Sequence, residues 1–354
     1  MINDLLLYIS WDISPNIYEG FLTVRYYSLF FAISFILGFY LVKKMYLNES
    51  APVEWMDKLL VYTVFGTIIG ARLGHVLFYE ADYYLENLGE VLMIWKGGLA
   101  SHGAAIALII SMYLYSKKIT KKKTLWSLDK LVVVVALAAG FIRMGNLMNS
   151  EIVGIRTDNE SGFFYEKKAS EKIAGFFGLS DDQLEFTETN DDTLIDGIKY
   201  PKMMVNIRLG QILMKPVYAK EFTNRHLILK SVREADFFTT YSSTNYHLSN
   251  ANLLSFPVFI IPRIPTQLYE SFSYWAIFLF LFWAYWKKQW YEYQGRLFGA
   301  FLTLLFMVRF ILEFFKEHQT LEDQTLLNMG QYLSIPCILV GLYYWIKSKK
   351  IVTD

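Results

Sequence analysis

The chain has 354 residues, 54% of them hydrophobic and 18% aromatic, with a mean hydropathy of +0.27; that is too apolar for an ordinary soluble domain of this length. A formal net charge of +1 excludes a global field that would collect nucleic acid, and a single cysteine, Cys337, excludes an intrachain disulfide or a cysteine metal cluster. The N-terminus has no basic leader and its first apolar patch, residues 5–9, is short, so no cleavable signal peptide is expected.

Residues 1–24 are mixed. Apolar runs long enough to cross a bilayer follow at 26–42, 59–79, 98–115, 131–148, 268–286, 297–315 and 329–346. In lipid each is expected to be helical, because a helix satisfies its own backbone. Lys43, Lys44 and Lys58 flank the first connection, Lys117, Lys118, Lys121, Lys122 and Lys123 fill the third, and Lys287, Lys288 and Arg296 lie in the fifth. Lys347, Lys349 and Lys350 follow the last run, whereas the second connection carries Glu80, Asp82, Glu86 and Glu90 against Lys96, and the sixth carries Glu317, Glu322 and Asp323. The positive-inside rule then places the N-terminus outside and the C-terminus in the cytoplasm, a parity that seven spans satisfy.

The expected architecture is an all-α polytopic membrane protein with seven transmembrane helices and an extracytoplasmic α+β head inserted between helices four and five. Residues 1–148 and 266–354 form the membrane domain and 149–265 the head. Within the head, 202–217 and 227–241 read as strands, 169–179 as a short amphipathic helix and 181–196 as an acidic turn. His226 and His247 are isolated and read as surface residues, and no metal-ligand spacing occurs.

Charged and amide side chains interrupt the apolar runs. Arg72 and His75 lie in the second, His102 in the third, Arg143 and Asn146 in the fourth, and Arg309 and Glu313 in the sixth, where their i, i+4 spacing suits an ion pair. Singly, each admits a structural reading: an ion pair, a snorkelling arginine, a satisfied core histidine. Together, three arginines face one carboxylate, and a buried positive excess asks for an anion. Arginine's fork suits phosphate oxygens, and a lipid headgroup of the outer leaflet is the anion nearest to hand. The densest stretch is 139–154, where Arg143 and Asn146 share a helix face, Asn149 lies close to that line and Glu151 follows. His102 sits among Gly97, Gly98 and Gly103 and titrates near neutral pH; Tyr27 opens the first span on the same side. A lipid transporter or flippase, or a scaffold whose head binds exported proteins, would also fit a membrane protein of this outline.

The motif G-x-x-R-x-G-N-x-x-N-x-E-x-x-G at 140–154 is accompanied, in order, by R-Y-Y at 25–27, G-A-R-L-G at 70–74, G-G-L-A-S-H-G at 97–103, P-T-Q-L-Y-E at 265–270, R-F-I-L-E-F-F at 309–315 and M-G-Q-Y-L-S-I-P at 329–336. Together they resemble the prolipoprotein diacylglyceryl transferases, integral membrane enzymes of bacterial lipoprotein maturation. The resemblance implies transfer of the sn-1,2-diacylglyceryl group of phosphatidylglycerol to the lipobox cysteine thiol of a preprolipoprotein in the bacterial inner membrane. A thioether forms, glycerol phosphate leaves, and no metal or organic cofactor takes part. By position, Arg143 would hold the headgroup phosphate, Arg309 would lie near the leaving phosphate, His102 would be the base for the thiol, and Tyr27 would complete the catalytic set. Asn146, Asn149, Glu151, Gly154, Gln267, Tyr269 and Glu313 would bind substrate or shape the site. The chain departs from the family pattern at Ile264, where a histidine is usual, at Leu305, where a tyrosine is usual, and in a region between Gly154 and Pro265 that is longer than the family leads one to expect.

Overall fold

The computed structural model describes residues 8–18, 20, 23–94, 97–157, 162–177, 179–180, 183–195, 198–208, 237–238, 247–248, 253–316 and 327–350. In chain order the elements are β1 (Ile9–Trp11), β2 (Asn16–Tyr18), β3 (Val24–Arg25), α1 (Tyr26–Asn48), α2 (Trp55–Phe78), α3 (Ala81–Glu86), α4 (Ser101–Tyr115), α5 (Thr124–Met148), β4 (Phe163–Tyr165) and α6 (Glu166–Phe177). Then follow β5 (Leu184–Ile195), β6 (Ile198–Arg208), β7 (Phe237–Phe238), β8 (His247–Leu248), β9 (Leu253–Ile260), α7 (Thr266–Lys287), α8 (Arg296–Leu312) and α9 (Met329–Lys347). All seven predicted apolar runs fold as helices. Five are long and apolar enough to cross a membrane: α1, α2, α5, α8 with its terminal turn to Phe315, and α9. The other two differ for physical reasons. α4 has 15 α-helical residues and continues as a five-residue π turn, Ser116–Thr120. α7 has 22 residues, but its tyrosines and tryptophans carry polar handles that lower its apolarity.

The chain divides into two units. The first comprises Met1–Leu29, Arg143–Tyr269 and Leu312–Thr325. Its sheet runs β5-β6-β9-β7, with β8 also pairing β9. Residues of one parity point inward, as a strand requires: Met203, Val205 and Ile207 of β6 stand opposite Val258, Phe256 and Leu254 of β9, and all six are buried. Pro257 has no N–H to offer and falls between the residues that β7 and β8 pair. α6 lays Ala169 and Ile173, one turn apart, on this core, and Tyr8 and Phe164 close it. β1 pairs in parallel with β4, and β2 pairs with β3, which leads into α1.

Two expectations change here. The acidic stretch 181–196 contains a strand, not a turn: β5 pairs antiparallel with β6 through a register shift between Glu188 and Asp192. Its Leu184 and Phe186 pack on the core while Glu185 between them faces outward. The helix expected at 169–179 begins earlier, at Glu166, and β6 overlaps the strand expected at 202–217. Of the strand expected at 227–241, β7 is described, and the rest lies outside the described residues, as does His226.

The second unit comprises Phe30–Ile142, Glu270–Ile311 and Leu326–Asp354. Ile36, Phe65, Leu279 and Leu339 are each exposed by three-fifths or more. Large apolar residues turned outward along helices of this length suit lipid rather than water. α2 and α4 meet backbone to backbone: a Cβ on Gly70 would lie 2.7 Å from Gly103 O, and one on Gly74 would lie 2.7 Å from Gly103 Cα. Such small-residue contacts let helices approach closely in a bilayer. At the other end of the unit, the Asp129 carboxylate accepts the N–H groups of Gly295 (2.6 Å) and Phe298 (2.8 Å), capping α8. Beside it, Lys130 Nζ pairs with Glu49 Oε1 at 2.9 Å, and Trp126 Nε1 and the Tyr285 hydroxyl donate to the same carboxylate. Buried charges are retained where they are met in this way.

Candidate active site

The motif at 140–154 owes its shape to the end of α5. The helix stops at Met148, and the chain reverses through Ser150 and Ile152, both at φ 55°. A β-branched residue in that region is strained and persists only where its surroundings fix it. They do: Thr266 Oγ1 donates to Ile152 O at 3.2 Å, and Gln267 Nε2 donates to Glu151 O at 2.6 Å. Gln267 is fully buried, and its Oε1 accepts the Tyr165 hydroxyl at 3.1 Å. Gly154 follows where three segments converge. Its N–H bonds Ile264 O at 3.0 Å, and a Cβ would lie 2.4 Å from that oxygen and 2.8 Å from Phe315 O. Any other residue there would push the segments apart.

On this turn a polar relay is built within the first unit. Arg143 Nη1 donates to Asn146 Oδ1 at 3.2 Å, one helical turn on, as their shared face predicts. Asn146 Nδ2 donates to Glu151 Oε2 at 3.1 Å, and Asn149 Nδ2 donates to Glu151 Oε1 at 3.2 Å. Glu151 therefore orients both amides, and Asn146 passes that order to the guanidinium. The Tyr27 hydroxyl lies within charge-interaction range of both Glu151 and Arg143. Tyr269 is 45% exposed on the first turn of α7. Glu313 begins a short 3-10 turn after α8 ends, and its Oε2 pairs with Lys316 Nζ at 3.2 Å. The helical i, i+4 geometry expected for it with Arg309 thus stops one residue short, and its ion partner is Lys316.

Two expected site residues belong to the second unit. His102, the second residue of α4, has its ring against Phe78 (5.2 Å) and Tyr79 (5.7 Å). Arg309 is half-buried in the last turns of α8 and has no hydrogen bond or ion pair among the described residues. Arg72 is different. It is 1% exposed and all its nitrogens donate to main-chain carbonyls, so it leaves the set of arginines available to an anion. His75 Nε2 lies 3.4 Å from Glu80 Oε2, a contact that was not legible from spacing.

The departures from the family pattern also find explanations. Ile264 acts through its main chain, accepting from Gly154 and donating to Ile155 O at 3.0 Å, so its side chain is not asked for a proton. Leu305 packs in the helical core. Sequence reasoning missed Gly145, whose absent side chain makes room for Tyr27, and Thr266, whose hydroxyl braces the strained turn. The glycine had a signal in its place between Arg143 and Asn146; the threonine had none.

Apolar helices of spanning length, with a relay of arginine, amides and carboxylate at the end of one of them, define a polytopic helical membrane protein with a polar site. A model of the family "Prolipoprotein diacylglyceryl transferase" matches residues 15–347, and the chain belongs to that family. It is 33% identical over 349 residues to a phosphatidylglycerol–prolipoprotein diacylglyceryl transferase of Chloroherpeton thalassium, covering 98% of this chain and 97% of the relative. Proteins of the same description from Porphyromonas gingivalis (33% over 351 residues, 97% and 95%) and Bacteroides fragilis (31% over 359 residues, 97% and 96%) are similar to it along the same extent. These alignments cover nearly all of both chains, so the relatives are of similar length to this one.

Proposed function

We infer that this chain, a bacterial inner-membrane transferase, moves the diacylglyceryl group of phosphatidylglycerol to the lipobox cysteine of a preprolipoprotein. The observation that carries the reading is the Arg143–Asn146–Glu151–Asn149 relay on a backbone-locked turn at the end of an apolar helix. The substrate sulfur attacks the diacylglyceryl carbon that bears the phosphate oxygen. A C–S bond forms, that C–O bond breaks, and glycerol phosphate departs with the electron pair. A thiol with a reference pKa of about 8.5 is mostly protonated at neutral pH, so its proton must go to a base. His102 is that base. Arg143 holds the headgroup phosphate, and Arg309 meets the charge that develops on the leaving group; a preorganised donor of this kind is worth about 3 kcal/mol. Tyr27 hydrogen-bonds beside Arg143. Glu151 positions Asn146 and Asn149, while Gln267, Tyr269, Gly154 and Glu313 shape the surrounding wall. The atoms balance without a metal or organic cofactor.

α4 with its π turn and α7 serve as two further spans, giving seven. The lysine-rich connections then face the cytoplasm with the C-terminus, and the N-terminus lies outside. Residues 149–265 form an extracytoplasmic head between the membrane segments 1–148 and 266–354. The lipobox peptide is membrane-anchored and enters sideways between helices.

The test is purified protein in phosphatidylglycerol vesicles with a lipobox peptide. The expected result is stoichiometric glycerol phosphate and diacylglyceryl thioether. Absence of both under all conditions overturns the reading, and lipid scrambling without thioether points to a transporter.

A further inference from the structure

Arg72 is a fully enclosed charge of the second unit, and its hydrogen-bond partners all come from one connection. Nε donates to Val91 O at 2.8 Å, Nη2 to Glu90 O at 2.7 Å, and Nη1 to Gly97 O at 2.6 Å and Gly98 O at 3.4 Å. The Tyr84 ring lies 4.9 Å from its guanidinium carbon. Gly97 and Gly98 stand at φ 85° and 74°, a left-handed backbone that turns their carbonyls inward. The neighbouring residue continues the attachment: Ala100 N donates to Ala71 O at 2.9 Å. Three residues further along α4, Gly103 is clasped between Gly70 and Gly74. Between these two attachments, on α4, stands His102, with its ring on Phe78 and Tyr79 of the same α2 that carries Arg72.

We propose that Arg72 is a positioning residue: it gathers the carbonyls of Glu90, Val91, Gly97 and Gly98 and so fixes the approach to α4 that holds His102 in place. The proposal rests on the reading of His102 as the thiol base. Lysine keeps the charge at this position but cannot meet several carbonyls in one plane. A displaced base costs rate rather than lipid affinity, since small misplacements of a reacting group lower turnover steeply.

A double-mutant cycle tests this. Arg72→Lys is expected to lower kcat on the order of 10-fold with KM for phosphatidylglycerol within about twofold. In a His102→Gln background the same substitution is expected to cost less than about twofold, because the group it positions is gone. Gly97→Ala repeats the cycle from the loop side if Arg72→Lys does not accumulate: a Cβ there meets nothing within 4 Å, yet φ 85° disfavours it. Multiplying losses, or a raised KM with unchanged kcat, overturn the proposal while leaving His102 as base. Wild-type turnover in His102→Gln alone removes the base reading, and the positioning role with it.

Discussion

Tyr27 rests on the bare Cα of Gly145: a Cβ there would lie 2.6 Å from Tyr27 Cδ2 and 3.2 Å from Tyr27 Cα. The start of α1 thus touches α5 between Arg143 and Asn146, which is why the tyrosine hydroxyl comes within range of Arg143 and Glu151.

Gly145→Ala is expected to displace Tyr27 and lower thioether formation by on the order of 10-fold or more, since overpacking of about 1–3 kcal/mol is relieved by moving the ring. Tyr27→Phe keeps the packing and removes the hydroxyl. If the phenylalanine variant is as active as wild type, the hydroxyl has no part in the reaction, and only the ring's packing matters.

Arg143→Ala removes the phosphate partner and leaves the relay without its last member. Transfer is expected to fall about 10²- to 10³-fold, the range seen when a transition-state donor is deleted. The protein should still insert and run as a single species in detergent. Arg143→Lys should recover little, because a point charge replaces the fork that Asn146 orients. Full recovery by lysine would show that charge alone suffices there.

His102→Gln is expected to slow transfer more at low pH than at high pH. As pH rises toward the thiol's own range, about 8.5, the substrate supplies its own thiolate and the base matters less. A rate ratio between wild type and variant that stays constant from acid to alkaline pH would exclude proton acceptance by this imidazole.

The helical segments were legible because each apolar run is longer than a core helix needs, and the relay was legible because Arg143 and Asn146 fall one turn apart. What could not be read was anything that depends on the main chain. The charge of Arg72 looked available to an anion, yet carbonyls absorb it, and no side-chain pattern announces a carbonyl. Glu313 looked like the partner of Arg309 because the helical count continued, whereas α8 stops at Leu312. In the first unit, the acids of 184–195 suggested a turn because β5, among the described residues, is an edge strand, and edge strands carry charge.

Glu166 gives the first unit its own pH response. It opens α6, lies next to β1 through a hydrogen bond accepted from the Ser10 hydroxyl, and is held above the usual glutamate range. Burial is the largest cause; the Ser10 bond opposes it, and Asp12 and Glu188 add to it. The folded protein therefore binds this proton more readily than the unfolded chain does. Its stability is expected to fall as pH rises from the unfolded value, about 4.3, through the raised folded value, and to change no further above it. Glu166→Gln keeps an acceptor for Ser10 and removes the titration, so its unfolding midpoint should exceed that of wild type at neutral pH and the gap should close on acidification. A gap that is the same at both ends of the window would mean that Glu166 ionises in the folded protein as it does in the unfolded chain.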